Sequence, residues 1–201
     1  MPYKIDPQHD ALIVVDVQYD FLPGGSLPVA DGLEVIPVIN RLIPHFQHIF
    51  FTRDWHPADH LSFSEFPKYM DKSWPPHAVM DTPGAQLHDD LHLPEYPRVI
   101  NKGGDPQKET YSAFQGTNLE QQLRKLEVQR LFICGLATDY CVKHTTLDAL
   151  ISKFKVILVE DAIRGVDNPP GLAAAAVTEM YSKGALIANS EDLLMGELAL
   201  K

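Results

Sequence analysis

Residues 11–17 read Ala-Leu-Ile-Val-Val-Asp-Val, a run of aliphatic side chains that only one acidic residue interrupts. A strand with one solvated face alternates apolar and polar residues, whereas a strand of a parallel sheet is buried on both faces and reads as a continuous apolar run. The stretch therefore predicts a buried strand of a parallel sheet. The acidic residue, Asp16, would lie at the end of that strand.

The rest of the chain alternates between strand-like and helix-like patterns. Further strands are predicted at 48–52, 98–101, 130–134, 155–160 and 185–188, and helices at about 35–46, 119–126, 139–152 and 173–180. This alternation predicts an α/β fold of three layers, in which a doubly wound, mainly parallel six-stranded sheet carries helices on both faces. We expect one domain over residues 1–201, since that length is ordinary for a domain.

Composition and charge exclude several classes of function. The formal net charge is −10, which disfavours binding to nucleic acid or to an anionic membrane surface. The aliphatic runs are too short to span a bilayer, and the first ten residues contain no apolar signal segment. Two cysteines, Cys134 and Cys141, are too few for a disulfide framework. We expect a cytoplasmic protein with reduced thiols and without a nucleic-acid or membrane partner. The sequence leaves open whether it forms a homo-oligomer.

Polar residues collect where the predicted strands end. Asp16, Asp54, Lys102 and the pair Thr138-Asp139 each lie at or just after a strand. Ligands of open parallel sheets bind beyond the carboxyl ends of the strands. The sequence therefore predicts a functional site at this edge of the sheet.

Residues 53–97 form an insert rich in proline, histidine and aromatic residues, without a long periodic pattern. Loops of this length inside a domain are usually functional. One carboxylate and three imidazoles lie close together in it: Asp54, His56, His60 and His77. Such ligands suit one divalent ion of Zn, Fe(II) or Mn(II). Spacing alone leaves two alternatives open, that these histidines are ordinary surface-loop residues and that Asp59 is the carboxylate ligand.

Cys141 follows a predicted buried strand, in a stretch where a helix begins. The positive end of a helix dipole should lower the pKa of its thiol and favour the nucleophilic thiolate. Free N–H groups of that turn could bind an oxyanion. Cys134, inside the strand, should be an inert buried thiol. The alternative for Cys141 is the same inert role.

A nucleophilic thiol needs a base. Asp16 is the best candidate, because it ends the first strand at the same edge of the sheet, although it could also cap a turn. Lys102 could orient both groups and lower their pKa values, although a solvated lysine at a strand end is the commoner case.

Several segments, in this order, resemble the nicotinamidase (pyrazinamidase) branch of the isochorismatase-like hydrolases. They are VDVQYDF at 15–21, DWHP at 54–57, SWPPH at 73–77, KG at 102–103 and GLATDYCV at 135–142. The resemblance covers roughly residues 10–190 and implies an isochorismatase-like fold.

The resemblance implies roles for individual residues. It implies a catalytic triad of Asp16, Lys102 and Cys141 and an oxyanion hole formed by the N–H groups of Ala137 and Cys141. It implies metal ligation by Asp54, His56, His60 and His77. It also implies substrate contacts from Phe21, Trp74 and Leu136, a pocket residue at Tyr111, and a cis peptide bond between Leu136 and Ala137.

The implied reaction is hydrolysis of nicotinamide to nicotinate and ammonia, or of pyrazinamide to pyrazinoate, through a thioester in NAD salvage. A related amidase acting on another small amide is the alternative. Three rival functions are a hydrolase whose metal-bound water attacks, a non-catalytic binding module, and a dinucleotide-binding domain. The last is disfavoured because the turn after the first strand, QYDFLPGG at 18–25, lacks the G-x-G-x-x-G pattern.

Overall fold

The structure is a computed structural model that describes residues 4–69 and 73–195. Within these residues, six strands form a single sheet. They are β1 (Asp10–Val15), β2 (His48–Asp54), β3 (Arg98–Lys102), β4 (Arg130–Leu136), β5 (Lys155–Arg164) and β6 (Leu186–Ala188). The ends of the predicted domain, residues 1–3 and 196–201, lie outside the described residues, as do residues 70–72 of the predicted insert.

All neighbouring strands are parallel, and their order across the sheet is β3-β2-β1-β4-β5-β6. The order reverses between β1 and β4, because the chain winds outward from β1 in one direction and from β4 in the other. Such a switch point opens a crevice beyond the carboxyl ends of the two central strands. The predicted parallel α/β sheet is confirmed.

In the described part of the chain, five α-helices cover the sheet: α1 (Val35–Leu42), α2 (Leu119–Lys125), α3 (Lys143–Ile151), α4 (Leu172–Ser182) and α5 (Ser190–Leu194). Apolar residues of α1 and α5 pack into the core on one face of the sheet. Residues of α2, α3 and α4 pack on the other face. Alternate residues of β1 point to opposite faces, with Leu12 and Val14 in the first core and Ala11, Ile13 and Val15 in the second. Burial on both faces explains the continuous apolar run.

The first strand ends two residues earlier than predicted. Asp16 has a left-handed backbone conformation, with φ of 49°, so the chain leaves the sheet after Val15. β4 passes this point closely, and a β-carbon at Gly135 would lie 2.1 Å from the carbonyl oxygen of Val15. Glycine is needed there because it has no β-carbon and φ is 107°.

The connection from β2 to β3 crosses the carboxyl edge of the sheet. Two isolated bridges, His56 with Val79 and Phe63 with Trp74, fold its described residues back on themselves. Asp20 fixes the connection to the loop after β1, because its carboxylate accepts a hydrogen bond of 2.7 Å from the N–H of Ala78. Within the described part of the chain, no helix has the length and apolar character needed to cross a membrane.

Candidate active site

Asp16, Lys102 and Cys141 come together at the carboxyl edge of the sheet. The Lys102 ammonium lies 2.8 Å from Asp16 Oδ2 and 3.3 Å from Cys141 Sγ. It also forms a short ion pair with Asp54. All four side chains are buried. The three residues that the resemblance implied as a triad are therefore neighbours in space.

The strand order explains this meeting. Asp16 directly follows β1, and Cys141 lies in a π-helical turn, Thr138–Val142, that links β4 to α3. These two connections flank the switch point of the sheet. Lys102 is the last residue of β3, two strands away, and its long side chain spans the end of β2 to reach them.

The positive charge of Lys102 and the negative charges of Asp16 and Asp54 stabilise one another. Burial by itself would lower the pKa of Lys102, but the carboxylates of Asp16 and Asp54 raise it well above its ordinary value. The lysine therefore stays protonated at neutral pH. Burial raises the pKa of Asp16, although the charge of Lys102 works in the opposite direction. A carboxylate with a raised pKa is a stronger proton acceptor, which suits a general base.

The predicted fall in the pKa of the Cys141 thiol is wrong for this structure. Burial raises that pKa well above its ordinary value, Lys102 lowers it in part, and the charges of Asp54 and Asp16 raise it further. The prediction considered only the helix terminus, whereas the folded chain adds loss of solvation and two neighbouring carboxylates, each of which raises the pKa of the thiol. The thiol is therefore protonated at rest and needs a base when it attacks.

Asp16 is oriented to be that base. Its Oδ1 accepts a hydrogen bond of 2.6 Å from the hydroxyl of Thr52, which fixes the carboxylate. Its Oδ2 is buried and accepts no aligned hydrogen bond from the described residues, although the Lys102 ammonium lies near it. This oxygen is therefore able to accept the proton of Cys141.

Asp54, His56 and His77 offer ligand atoms that all lie within 4.8 Å of one another. The Nδ1 atom of His56 lies 2.9 Å from the carbonyl oxygen of Gly103, and that of His77 lies 2.8 Å from the carbonyl oxygen of Pro75. A carbonyl only accepts hydrogen bonds, so each Nδ1 carries a proton, and in the neutral ring Nε2 has the lone pair that a metal needs. Burial also lowers the pKa of His77 to about 4, so its imidazole is neutral at physiological pH. These residues fit a divalent ion.

His60 is adjacent to this group but does not present a ligand atom to it in this structure. Its ring centre lies 4.3 Å from that of His56. Its Nδ1 contacts the hydroxyl of Ser62 at 2.8 Å, and its Nε2 lies 3.3 Å from the carbonyl oxygen of Lys108. Both ring nitrogens thus contact groups outside the cluster. His60 would have to break its contact with the Lys108 carbonyl oxygen to become a fourth ligand. Asp59, the competing carboxylate of the sequence, is not part of the cluster of Asp54, His56 and His77.

A cleft of about 380 Å³, including its open mouth, leads to Cys141. It is mostly apolar, and the residues that line it are Phe21, Leu27, Val29, Asp54, Trp74, His77, Tyr111, Ala137, Tyr140, Cys141 and Val166. The thiol and two of the candidate metal ligands, Asp54 and His77, therefore line the same cleft.

The predicted substrate contacts Phe21, Trp74 and Tyr111 all line this cleft. The indole N–H of Trp74 donates a hydrogen bond of 3.2 Å to the Tyr111 hydroxyl, which ties two walls together. Leu136 is different, because its side chain is fully buried in the core on the α1 side of the sheet. The prediction that Leu136 contacts the substrate is corrected accordingly, and its neighbour Ala137 lines the cleft instead.

The turn around Cys141 is closed by Ala137. The carbonyl oxygen of Ala137 accepts hydrogen bonds from the N–H groups of Tyr140, at 3.0 Å, and Val142, at 3.1 Å. The Leu136–Ala137 peptide bond is cis, as the resemblance implied. The N–H groups of Ala137 and Cys141 remain our prediction for the oxyanion site, since both residues line the cleft beside the thiol.

Two supporting residues escaped sequence reasoning. Thr52 holds Asp16, and Gln18 binds the backbone of Asp54. Both are fully buried. The available signals were that Thr52 is a polar residue inside a predicted strand and that Gln18 lies just beyond a different predicted strand. Nothing in the sequence indicated their partners. Tyr140 and Val166 were also missed as cleft residues, because their elements meet only in the folded chain.

Comparison with known proteins agrees with this arrangement. The isochorismatase domain profile matches residues 10–192. A nicotinamidase from Escherichia coli is 41% identical over 198 residues, covering 88% of this chain and 93% of that protein. The structure of a Pyrococcus horikoshii pyrazinamidase in complex with zinc is 45% identical, with a TM-score of 0.82, over 90% of this chain and 99% of that one.

A structure of PnC1 from L. infantum in complex with nicotinate is 35% identical, with a TM-score of 0.86, over 96% of this chain and 98% of that one. The profile match covers most of the sequence, and the curated relatives match nearly end to end. The chain therefore belongs to the isochorismatase family.

Proposed function

We propose that this chain is a metal-dependent cysteine amidohydrolase that converts nicotinamide to nicotinate and ammonia, and pyrazinamide to pyrazinoate. The observation that carries the proposal is the position of Cys141 in the lining of a small apolar cleft that Asp54 and His77 also line, with the candidate base Asp16 within 4.8 Å of the thiol sulfur. The similarity to a nicotinamidase and to a pyrazinamidase supports the same substrates. The product, nicotinate, is a precursor for NAD salvage.

The cleft would hold the flat pyridine ring between its aromatic walls. Phe21 and Trp74 offer apolar ring surface, with Trp74 fixed by its hydrogen bond to Tyr111. A divalent ion held by Asp54, His56 and His77, with His60 as a possible fourth ligand, would supply a Lewis acid that binds the ring nitrogen. Its task would be to position the substrate, so that the carboxamide carbon lies against Cys141.

The first half of the reaction transfers the acyl group to the thiol. Asp16 accepts the Cys141 proton as sulfur attacks the carboxamide carbon, and Lys102 stabilises the negative charge of both groups. The N–H groups of Ala137 and Cys141 would hold the oxyanion. Asp16 then gives the proton to the departing ammonia, which leaves a thioester on Cys141.

The second half releases the acid. Asp16, again ionised beside Lys102, takes a proton from water as the water attacks the thioester carbon. The carbon–sulfur bond breaks, and the proton returns to the Cys141 sulfur. The thiol is then protonated again, as burial favours in the resting enzyme.

Incubation of the purified protein with nicotinamide tests the proposal. Equal amounts of nicotinate and ammonia should appear, and the metal content of the same sample should be about one divalent ion per chain. If metal-loaded protein released neither product, nicotinamide would not be the substrate, and other small aromatic amides would be assayed in its place.

A further inference from the structure

Two groups of potential metal ligands share the carboxylate of Asp54. The first is the candidate metal site of Asp54, His56 and His77, and the second consists of Asp16, Asp54 and Cys141. In each group the ligand atoms lie within 4.8 Å of one another. Asp54 Oδ2 faces His56 Nε2 at 3.6 Å, while Oδ1 accepts a hydrogen bond from the Lys102 ammonium.

The second group has the chemistry of a metal site. A thiolate and two carboxylates are ligands for Zn²⁺ and Co²⁺, and a coordinated thiol loses its proton. The group is buried and its carboxylates need a positive charge. Because it shares Asp54 with the first group, the arrangement resembles two-metal centres, in which a carboxylate bridges neighbouring ions.

In this structure the positive charge is the ammonium group of Lys102. Its Nζ contacts a carboxylate oxygen of Asp16 and of Asp54 and lies 3.3 Å from Cys141 Sγ. The side chain of Lys102 has no exposed surface. Nζ therefore contacts an atom of every member of the second group.

We propose that Lys102 occupies a second cation position next to the candidate metal site and thereby keeps divalent metal ions off Cys141. The proposal rests on the proposed function, because it assigns Cys141 as the nucleophile and places a metal next to it. A thiolate coordinated by a metal is not free to attack a substrate. An ammonium group supplies a positive charge through hydrogen bonds, which the sulfur can leave without breaking a coordinate bond.

The test uses cobalt as the probe, because a thiolate bound to Co²⁺ gives a sulfur-to-metal charge-transfer band. Wild-type protein loaded with Co²⁺ should lack this band. Lys102→Met, which keeps much of the volume of the lysine stem but removes the charge, should show it. The band should vanish in the double variant Lys102→Met/Cys141→Ala. It should persist in the double variant Lys102→Met/Cys134→Ala, which is the matched control for the other thiol. A folded Lys102→Met protein without the band would overturn the proposal.

The wild-type half of a second measurement does not depend on how well the variant folds. Alkylation of Cys141 in the wild-type holoenzyme should proceed at an unchanged rate as Co²⁺ is added beyond one equivalent. In Lys102→Met the same addition should slow alkylation about tenfold when free Co²⁺ is about ten times its Kd, by mass action. Strong protection of wild-type Cys141 by Co²⁺ would overturn the proposal. Nicotinamide hydrolysis by the wild-type protein, measured in parallel, shows independently whether the proposed function holds.

Discussion

Gln18 holds both backbone polar groups of Asp54. Its side-chain Oε1 accepts a hydrogen bond of 2.8 Å from the Asp54 N–H, and its Nε2 donates one of 2.8 Å to the Asp54 carbonyl oxygen. The same Nε2 donates to the carbonyl oxygen of Ala85 at 2.9 Å. One glutamine thus connects the loop after β1, the end of β2 and the insert, and fixes the carboxylate that faces both His56 and Lys102.

Replacing Gln18 by Ala should therefore weaken metal binding without removing a ligand. Loss of a supporting hydrogen bond around metal ligands typically costs about 10–100-fold in metal affinity. The buried backbone groups left unpaired should also destabilise the protein by about 1–3 kcal/mol each. Competition with a chelator measures the affinity. Gln122→Ala, on the exposed surface of α2, is the control, and equal affinities in the two variants would contradict the role of Gln18.

The two cysteines should behave differently. Cys141 lines the cleft, whereas Cys134 is fully buried on the other side of the sheet. Burial raises the pKa of Cys134 as well, and no reagent reaches it in the folded protein. Iodoacetamide should label Cys141 much faster, as peptide mass spectrometry would show. Cys141→Ala should abolish hydrolysis of nicotinamide while Cys134→Ala keeps it. Turnover by Cys141→Ala would favour attack by a metal-bound water.

Asp16→Asn should remove the proton acceptor with almost no change in volume. A positioned general base is typically worth about 10²–10⁴ in rate, so kcat should fall by at least that factor. Asp10→Asn is a matched control, because Asp10 is a buried carboxylate at the opposite end of β1, paired with Arg130. It should lower the melting temperature and leave kcat nearly unchanged below that temperature. If Asp16→Asn kept most of its turnover, the base would be another group.

Tyr111→Phe should loosen the wall of the cleft. It removes the hydroxyl group that accepts the hydrogen bond of the Trp74 indole N–H. A typical hydrogen bond of this kind contributes about 1 kcal/mol. We expect KM for nicotinamide to rise several-fold, since Trp74 would be less well fixed against the ring, with a smaller change in kcat. Steady-state kinetics measure both constants. A large loss of kcat at unchanged KM would instead indicate a role of Tyr111 in the chemical step.

A series of amides should show what the metal does. Nicotinamide and pyrazinamide carry a ring nitrogen meta to the carboxamide-bearing carbon, whereas benzamide has none and picolinamide has it in another position. The last two should be poorer substrates, by about tenfold in kcat/KM for every 1.4 kcal/mol of lost interaction. Chelation should nearly abolish nicotinamide hydrolysis, yet Cys141 should still react with iodoacetamide. If benzamide were hydrolysed as fast as nicotinamide, the metal would not position the substrate through its ring nitrogen.

Periodicity alone predicted most of the fold. The apolar runs became β1 to β6, and the predicted helices became α1 to α4, with differences mainly at their ends. Two strand ends were missed for different reasons. The left-handed conformation of Asp16 ended β1 early, and pairing with the neighbouring strand carried β5 on to Arg164.

The sequence by itself determined the order of the elements and the chemical groups at their ends, because periodicity and residue type are local properties of the chain. It therefore indicated that Asp16, Lys102 and Cys141 lie at one edge of a parallel sheet. Only the tertiary structure decided which atoms touch, since contacts depend on packing between distant segments. Packing buried the Cys141 thiol beside two carboxylates and so raised its pKa, against the local expectation. It also placed the Lys102 ammonium against both carboxylates and the sulfur, and directed His60 to Lys108 instead of to the other candidate ligands.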